Sequence, residues 1–526
     1  MRHRLCQRWV GLVVFLVASV FGTLWGTEQS RAGEPQAVFQ PLFLTAAEMA
    51  PASGVPTLTS MNAKTGSVPI WSLSGKTVGQ SVSGVIPSLP AGCAGVKVEI
   101  VVLNEHPETS PAMEDVYRVH LAQVDAQQGK LVRSVTTQPV RSRLAAEPGM
   151  FRTITLESWY SVDSALPLVV RVQREPDDPA DTFPNPAGLF LVKVTPLAPL
   201  PETLVVQDAP GYDSWPVIQA LGDKLVCAYS KGTAHSIDEG VRGVFARTSS
   251  DHGKTWGPEV LVANDPDCGE VTIGKGLDEN GAVLIWVRRV SRKGFSHALY
   301  RTTDGERFEL ISVPPLEVMP MQITDVFHVP TVGLVALWFE GNYSNKGPCH
   351  SWGMVVSKDN GATWTQTVIE RELPENQWPT EPSAVYLGEG RILVLARSEL
   401  GDRTTARCQF QLTSTDYGKT WHRSQTNIGE VLASTPSLIL DADTGLLSCY
   451  YYERGRGVLR RRVVKPEAIF DEPFQWPASE AVVLGSDKTY HAGNVNAVAI
   501  GRRHFLAFYS GDEKNTAVVV AEVPAP

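Results

Sequence analysis

This 526-residue chain has no Cys-x-x-Cys pair and no cysteine–histidine spacing of the kind that binds zinc, so no cysteine-based metal site can be read from it. It also lacks a basic surplus. The formal net charge is −9, which argues against nonspecific nucleic-acid binding but leaves open a basic pocket for a small ligand. Beyond the N-terminus there is no second long apolar run, so the mature chain is expected to be soluble, without a membrane span. No helix-period segment interrupts residues 201–526, which excludes an α/β architecture there. The low hydrophobicity of a disordered chain is missing as well: 43% of residues are hydrophobic and 20% charged, as in folded proteins.

Glycine and proline are plentiful, at 44 and 37 residues, as turn-dense all-β proteins require. The length suggests two domains. At the N-terminus, Arg2, Arg4 and Arg8 precede an apolar run from Val10 to Trp25, and Ser30-Arg31-Ala32 offers small residues for cleavage. The pattern predicts a signal peptide over 1–32 and export to the periplasm or outside the cell; an uncleaved anchor is the alternative. Cys6 lies before the apolar run and is not a lipoprotein acceptor. Of the other six cysteines, Cys227, Cys408 and Cys449 fall in apolar strand patterns, where a buried thiol is expected.

Residues 33–65, rich in Pro, Ala and Ser with weak periodicity, read as a linker or lead-in. Between 66 and 198 come five alternating stretches: VKVEIVVL (96–103), VYRVHLAQV (116–124), FRTITL (151–156), LPLVVRVQR (166–174) and GLFLVKVTPL (188–197). These predict a jelly-roll-like antiparallel β-sandwich, either a carbohydrate-binding accessory module or a spacer. Trp159 and Tyr160 within it read as core.

From 199 onward the chain repeats. SSDHGKTW starts at Ser249, SKDNGATW at Ser357 and STDYGKTW at Ser414, with a shortened TTDGERF from Thr302, a period of about 55 residues. In each complete copy the Ser and Asp (Asp251, Asp359, Asp416) can bond backbone N–H groups of the turn. Gly253, Gly361 and Gly418 supply a positive φ, and Trp256, Trp364 and Trp421 pack between strands. Asp304 is the counterpart in the short copy. Counting strand–turn–strand units around these turns gives six sheets.

The S-x-D-x-G-x-T-W turn at this period resembles the Asp-box of the sialidase superfamily. The resemblance implies a six-bladed β-propeller over 199–526, with the boxes on the rim away from substrate. In a propeller, inner-strand starts, second-strand ends and the loops after them converge on one mouth. Those positions hold Asp213, Trp215, Glu270, Asp325, Glu381, Tyr490, His491 and Asn494; Lys231, Arg288, Arg289, Glu340, Arg397 and Tyr452; and His235, Asp238, Arg242, Arg407, Arg454 and Arg456. Guanidinium groups there recognise anions through paired N–H donors, while carboxylates supply acid and base.

The same resemblance implies residue roles. Glu381 in TEPSAVYL activates Tyr490, the nucleophile, and Asp238 is the acid/base. Arg397 and Arg456, or Arg454, clamp an anion; by position alone His235, Trp215, Arg242 and Arg288 complete the substrate site. It implies a retaining exo-glycoside hydrolase for a terminal, acidic sugar, with no metal or organic cofactor. Two departures stand out: Ser214 occupies the place of a first-blade arginine, and Tyr490-His491 replaces the usual Tyr-Ser. Arg242, Arg288 or Lys231 could supply the missing charge. The alternatives are a non-catalytic glycan-binding propeller or a glycosidase for a neutral sugar such as arabinan. Asp238 could equally be a solvated loop residue, Tyr490 a packing residue, and Arg460 to Arg462 a solvated strand.

Overall fold

The computed structural model describes residues 39–526 apart from 55, 64–65, 74–79, 105–113, 126, 138–139, 144–150, 176–186, 236–241, 292–293, 342–348, 399–407, 430–434 and 489. The stretch expected to be a signal peptide therefore lies outside the described residues. Those from Gln40 onward form one compact unit. It is all-β, and the helical turns among the described residues are three-residue 3-10 turns at Ala46–Glu48, Glu375–Gln377 and Pro466–Ala468. No described helix is long and apolar enough to cross a membrane.

Residues 42–197 build two six-stranded antiparallel sheets. One runs Phe151–Ser161, Gly95–Asn104, Ala187–Leu197, Gly66–Leu73, Thr57–Ala63, with Leu42–Thr45 also on Ala187–Leu197. The other runs Ala50–Ser53, Ser81–Ile86, Leu168–Arg174, Glu114–Asp125, Lys130–Thr136, with Val140–Arg143 also on Glu114–Asp125. Alternation sends Val96, Val98 and Ile100 of the first sheet, and Val119, Leu121, Val170 and Val172 of the second, into complete burial. Trp159 and Tyr160 are buried too. The linker reading of 33–65 needs correction, because Leu42–Thr45, Ala50–Ser53 and Thr57–Ala63 are paired strands of these sheets. Such short edge strands tolerate proline and need little alternation, so composition hid them.

Residues 204–524 build four-stranded antiparallel sheets. Sheet 1 comprises Tyr212–Leu221, Lys224–Gly232, Gly243–Ser249 and Val260–Ala263. Sheet 2 comprises Gly269–Leu277, Val283–Ser291, Gly294–Thr302 and Glu309–Ser312, and sheet 3 Gln322–Val329, Gly333–Glu340, His350–Ser357 and Thr365–Leu373. Sheet 4 comprises Pro379–Gly388, Arg391–Ser398, Phe410–Ser414 and His422–Gln425, and sheet 5 Ser437–Leu440, Leu447–Glu453, Val458–Val464 and Glu480–Leu484. Sheet 6 comprises Ala492–Ile500, Arg503–Gly511, Thr516–Pro524 and, from the other end of the segment, Leu204–Gln207. A single bridge, Tyr212 to Thr516, joins sheets 1 and 6.

The first strand of each sheet contacts the first strand of the next, and that of sheet 6 contacts that of sheet 1. The six first strands thus close a ring. Apolar clusters fill the spaces between neighbouring sheets, one of them joining Trp286, Trp338 and Trp364 from sheets 2 and 3. Cys227 and Cys449 are fully buried in such interiors.

The repeated turns link third strands to fourth strands. In the first, Ser249 Oγ accepts from Gly253 N at 2.8 Å, and Asp251 accepts from Thr255 N at 2.9 Å and Thr255 Oγ1 at 2.6 Å. Trp256 Nε1 donates to Gly253 O at 3.1 Å. The turns at Ser357 and Ser414 repeat the pattern. In the short copy, Thr302 Oγ1 accepts from Gly305 N, one residue earlier. These hydrogen bonds hold Asp251, Asp359, Asp304 and Asp416 below the ordinary carboxylate value.

A buried ion cluster ties the two parts together. Glu157, placed between two bulges of its strand, reaches Arg456 Nη1 at 2.5 Å and Arg460 Nη2 at 3.0 Å. Glu453 takes Arg460 Nε at 2.6 Å and Arg456 Nη1 at 3.4 Å. The run Arg460 to Arg462 is therefore not a solvated strand: Arg460 is 2% and Arg462 5% exposed, the latter donating to Tyr451 Oη. Alternation indicated which faces these arginines take, but not that a second sheet covers one of them. Glu157→Ala should lower the free energy of unfolding by on the order of 3 kcal/mol, because a buried guanidinium loses a counter-charge. Denaturant titration measures this, and the double variant with Arg460→Met should cost less than the sum of the two single ones.

Candidate functional site

Five of the six inner strands carry a register shift near their start, between Ser214/Val217, Thr272/Gly274, Ile323/Val326, Thr380/Ser383 and Gly493/Asn496. Such bulges bend the strand and re-aim side chains. Three place a non-glycine residue at positive φ in the same relative position: Trp215 at 49°, Glu381 at 48° and Asn494 at 49°. Two of these precede proline, which is tolerated at bulges because it has no N–H to pair. Tyr490, just ahead of the sixth inner strand, has φ 68°. Each such conformation costs on the order of 1–3 kcal/mol, so the surrounding contacts must enforce it.

Those contacts converge. Arg397, closing the second strand of sheet 4, bonds Glu381 Oε2 at 2.9 Å, and Thr435 Oγ1 donates to the same oxygen at 2.7 Å. Burial works to raise the Glu381 pKa. The charge of Arg397, the bonds from Thr435 and Arg397, and the charge of Arg454 outweigh it, holding the carboxyl below its ordinary value. Arg454 donates to Ala492 O at 2.9 Å, Asn494 Oδ1 at 2.6 Å and Tyr509 Oη at 3.0 Å, with its guanidinium 5.8 Å from the Tyr490 ring. Tyr490 itself is 49% exposed.

On the sheet 1 side, Arg242 lies 4.8 Å from the Trp215 ring and donates to Ser214 Oγ at 3.1 Å, and to Tyr212 O and Ala234 O. Its guanidinium thus stands beside the Ser214 hydroxyl. His235 lies 5.4 Å from the Trp215 ring and 6.3 Å from that of Tyr490. Burial first, then the influence of Arg454, His491 and Arg242, takes His235 down to about 4 against the pull of Glu381. The imidazole is neutral at pH 7, and Glu381 is ionised. Ordered this way, the site offers a carboxylate base, a neutral histidine, a cationic floor and an exposed phenol.

Several expected members lie elsewhere. Arg456 belongs to the ion cluster with Glu157 and donates to Trp159 O at 3.1 Å, so the site arginine of that turn is Arg454. The turn sends residues two apart to opposite sides, a choice that spacing does not reveal. Arg288 donates to Met321 O at 3.0 Å and packs over Phe295, bridging sheets 2 and 3. Lys231 pairs with Glu259 at 3.0 Å. Asp213 shares that neighbourhood, and burial first, then Glu259, pushes it up to about 6 against the charge of Lys231. Asp325 sits among the inner strands beside Lys275 Nζ at 3.8 Å and Asn496 Nδ2 at 3.2 Å. Asp238 and Arg407 lie outside the described residues.

Three members were missed. Tyr212 adjoins the selected Asp213, and alternation turns the tyrosine rather than the aspartate toward the site. Tyr509 ends the second strand of sheet 6, the counterpart of Arg397, so the rule that found Arg397 also reaches it. Thr435 carried no sequence signal. Two clefts beside Trp421, of 360 and 280 Å³, are bordered by none of the candidate residues. Among the described residues no group of three or more His, Cys, Asp or Glu is placed to hold a metal ion.

No protein-family model and no curated protein matches the chain. Solved structures similar to it include a protein of unknown function from Dyadobacter fermentans, at 17% identity over 61% of this chain and 99% of that one, with a TM-score of 0.47. Another is the Trypanosoma rangeli sialidase in complex with the inhibitor DANA, at 12% identity over 61% of this chain and 57% of that one, TM-score 0.45. A third is an α-L-arabinofuranosidase from Fusarium graminearum in complex with an iminosugar inhibitor, at 13% identity over 62% and 98%, TM-score 0.45.

Arg397→Leu should destabilise the fold by roughly 3–5 kcal/mol at pH 7, since it leaves the buried Glu381 carboxylate without its main counter-charge. The loss should shrink in acid as that carboxyl takes up a proton; chemical denaturation at pH 4 and pH 7 compares the two. Glu270, fully buried at the start of the sheet 2 inner strand, is pushed up to about 7 by burial, against a hydrogen bond from Asp265 N and the charge of Arg289. Its folded value lies above its unfolded one. The stability it contributes is therefore complete below pH 4.5, the unfolded value, and is lost as pH rises through about 7. Between pH 5 and pH 8, the wild type should lose stability relative to Glu270→Gln in urea titrations, and equal losses in both proteins would refute the assignment.

Proposed function

We propose that the chain is an exported, sialidase-like β-propeller glycoside hydrolase, six-bladed, preceded by a β-sandwich, that removes a terminal sugar from a glycan. The observation that carries this reading is the joining of Glu381, Arg397, Arg454, Tyr490 and His235 at one end of a closed ring of strands. Tyr490 is exposed and Trp215 half-buried there, and aromatic faces suit the apolar face of a pyranose or furanose ring.

In the proposed retaining reaction, Tyr490 Oη attacks the anomeric carbon while Glu381, already ionised, takes the phenolic proton. The departing glycosidic oxygen receives a proton from an acid, the role assigned to Asp238. Water then displaces the tyrosine, which regains its proton from Glu381, and the same acid, now a base, takes the proton of that water. Arg454, 5.8 Å from the Tyr490 ring, favours negative charge on the phenol as its proton leaves. The excess of guanidinium over carboxylate in the floor favours an acidic sugar.

A second reading, a neutral sugar such as an arabinoside, has its own support. Arg454 spends donors on Ala492, Asn494 and Tyr509, Arg397 bonds Glu381, and Arg242 holds Ser214, Tyr212 and Ala234. Guanidinium groups so engaged raise the general potential without gripping a carboxylate directly. A panel of fluorogenic glycosides separates the two, with sialoside turnover expected for the first and arabinofuranoside turnover for the second. Tyr490→Phe and Glu381→Ala should each lower turnover by about 10²–10⁴-fold. Glycan binding with no turnover of any glycoside would defeat both and leave a binding propeller.

A further inference from the structure

The hydroxyl of Tyr212 has three polar neighbours: Tyr490 O at 3.1 Å, His491 Nδ1 at 3.0 Å and His235 Nδ1 at 3.2 Å. A phenol has one proton to give and two lone pairs with which to accept. A carbonyl oxygen can only accept, so the contact with Tyr490 O requires Tyr212 to donate there. Its two lone pairs are then left for the two imidazoles, and each must present Nδ1–H. Burial pushes the Tyr212 hydroxyl well above its ordinary value, so the proton stays on. The carbonyl of Tyr490 also receives Tyr509 Oη at 3.0 Å, which fills its second lone pair.

We propose that Tyr212 is a positioning residue that fixes His235 and His491 as Nδ1–H tautomers, so that Nε2 of His235 stands as a hydrogen-bond acceptor for a hydroxyl of the bound sugar. The proposal rests on the glycosidase reading for its ligand, but the tautomers follow from the geometry alone. His235 suits the role because its ring lies 5.4 Å from that of Trp215 and 6.3 Å from that of the exposed Tyr490. It also stays neutral. The charged or titratable groups acting on it are Arg454 and Glu381 from across the ring, Arg242 and Tyr212 from sheet 1, and His491 and Tyr490 from the approach to sheet 6. Burial first, and then the guanidinium groups of Arg454 and Arg242, keep a second proton off the imidazole. Tyr212 and Tyr509 together clamp the Tyr490 carbonyl, which holds that residue at its positive φ.

The test uses the full-length protein labelled with ¹⁵N-histidine, and long-range ¹H–¹⁵N correlation at pH 7 reads each tautomer. His235 and His491, assigned from single variants, should show protonated Nδ1 and a bare Nε2. Tyr212→Phe keeps the ring and removes the hydroxyl, and it should release both toward the Nε2–H form. An Nε2–H form of His235 in the wild type, or tautomers unchanged in Tyr212→Phe, would overturn the proposal whatever the enzyme turns over. The ligand contact is read by kinetics on whichever glycoside is hydrolysed. His235→Ala should raise KM about tenfold, the loss of one hydrogen bond, with a smaller change in kcat. His235→Gln places an amide oxygen near the Nε2 position and should recover most of that loss; a Gln variant as impaired as Ala would refute the acceptor role. Absence of turnover on every glycoside sinks the preceding reading, and with it the sugar contact, while the tautomer result still decides the part assigned to Tyr212.

Discussion

Ring closure is the constraint on which everything else depends. The strand Leu204–Gln207 pairs with Thr516–Pro524, so the start and end of the ring segment are held in one sheet. Antiparallel pairing across more than 300 residues is entropically costly to form, but once made it holds the six inner strands at fixed mutual distances. The bridge from Tyr212 to Thr516 is the only direct pairing between sheets 1 and 6 among the described residues, yet inner-strand packing continues across that seam. Without the seam, Tyr212 and His235 would have no reason to meet Tyr490 and His491.

Within that frame, the bulges turn a scaffold into a site. A regular strand would alternate its side chains between the two faces of the sheet, buried between neighbours. The register shifts at Trp215, Glu381 and Asn494 break this alternation at one end of the ring and leave those residues strained. Arg397 holds Glu381 and Arg454 holds Asn494, while the two tyrosine hydroxyls hold the similarly strained Tyr490. The same residues thus maintain the backbone and set the electrostatics, with an ionised Glu381 and a neutral His235 within one cationic surround.

The Glu157 cluster adds a second rigid link. Glu453 and Arg456 face the N-terminal sheets while Arg454, on the same turn, faces the site, so the N-terminal sheets buttress the turn that carries Arg454. An accessory module tethered by a flexible linker would not do this, and only residues 198–203 separate Ala187–Leu197, the last strand of the N-terminal sheets, from Leu204–Gln207 in sheet 6.

The sequence by itself determined the all-β class, the period of the turns and most of the ring positions at which polar side chains collect. Those properties are local, because alternation, glycine placement and turn chemistry are written over a few neighbouring residues. Glu381, Arg397, His235 and Tyr490 were legible for that reason. Only the tertiary structure decided that Arg454 rather than Arg456 enters the site, that Tyr212 and Tyr509 clamp Tyr490, that Arg460 is buried against Glu157, and that residues 42–63 are strands. Each of these depends on which sheet covers a given face, and that is set by pairings between residues tens to hundreds of positions apart, which no local pattern encodes.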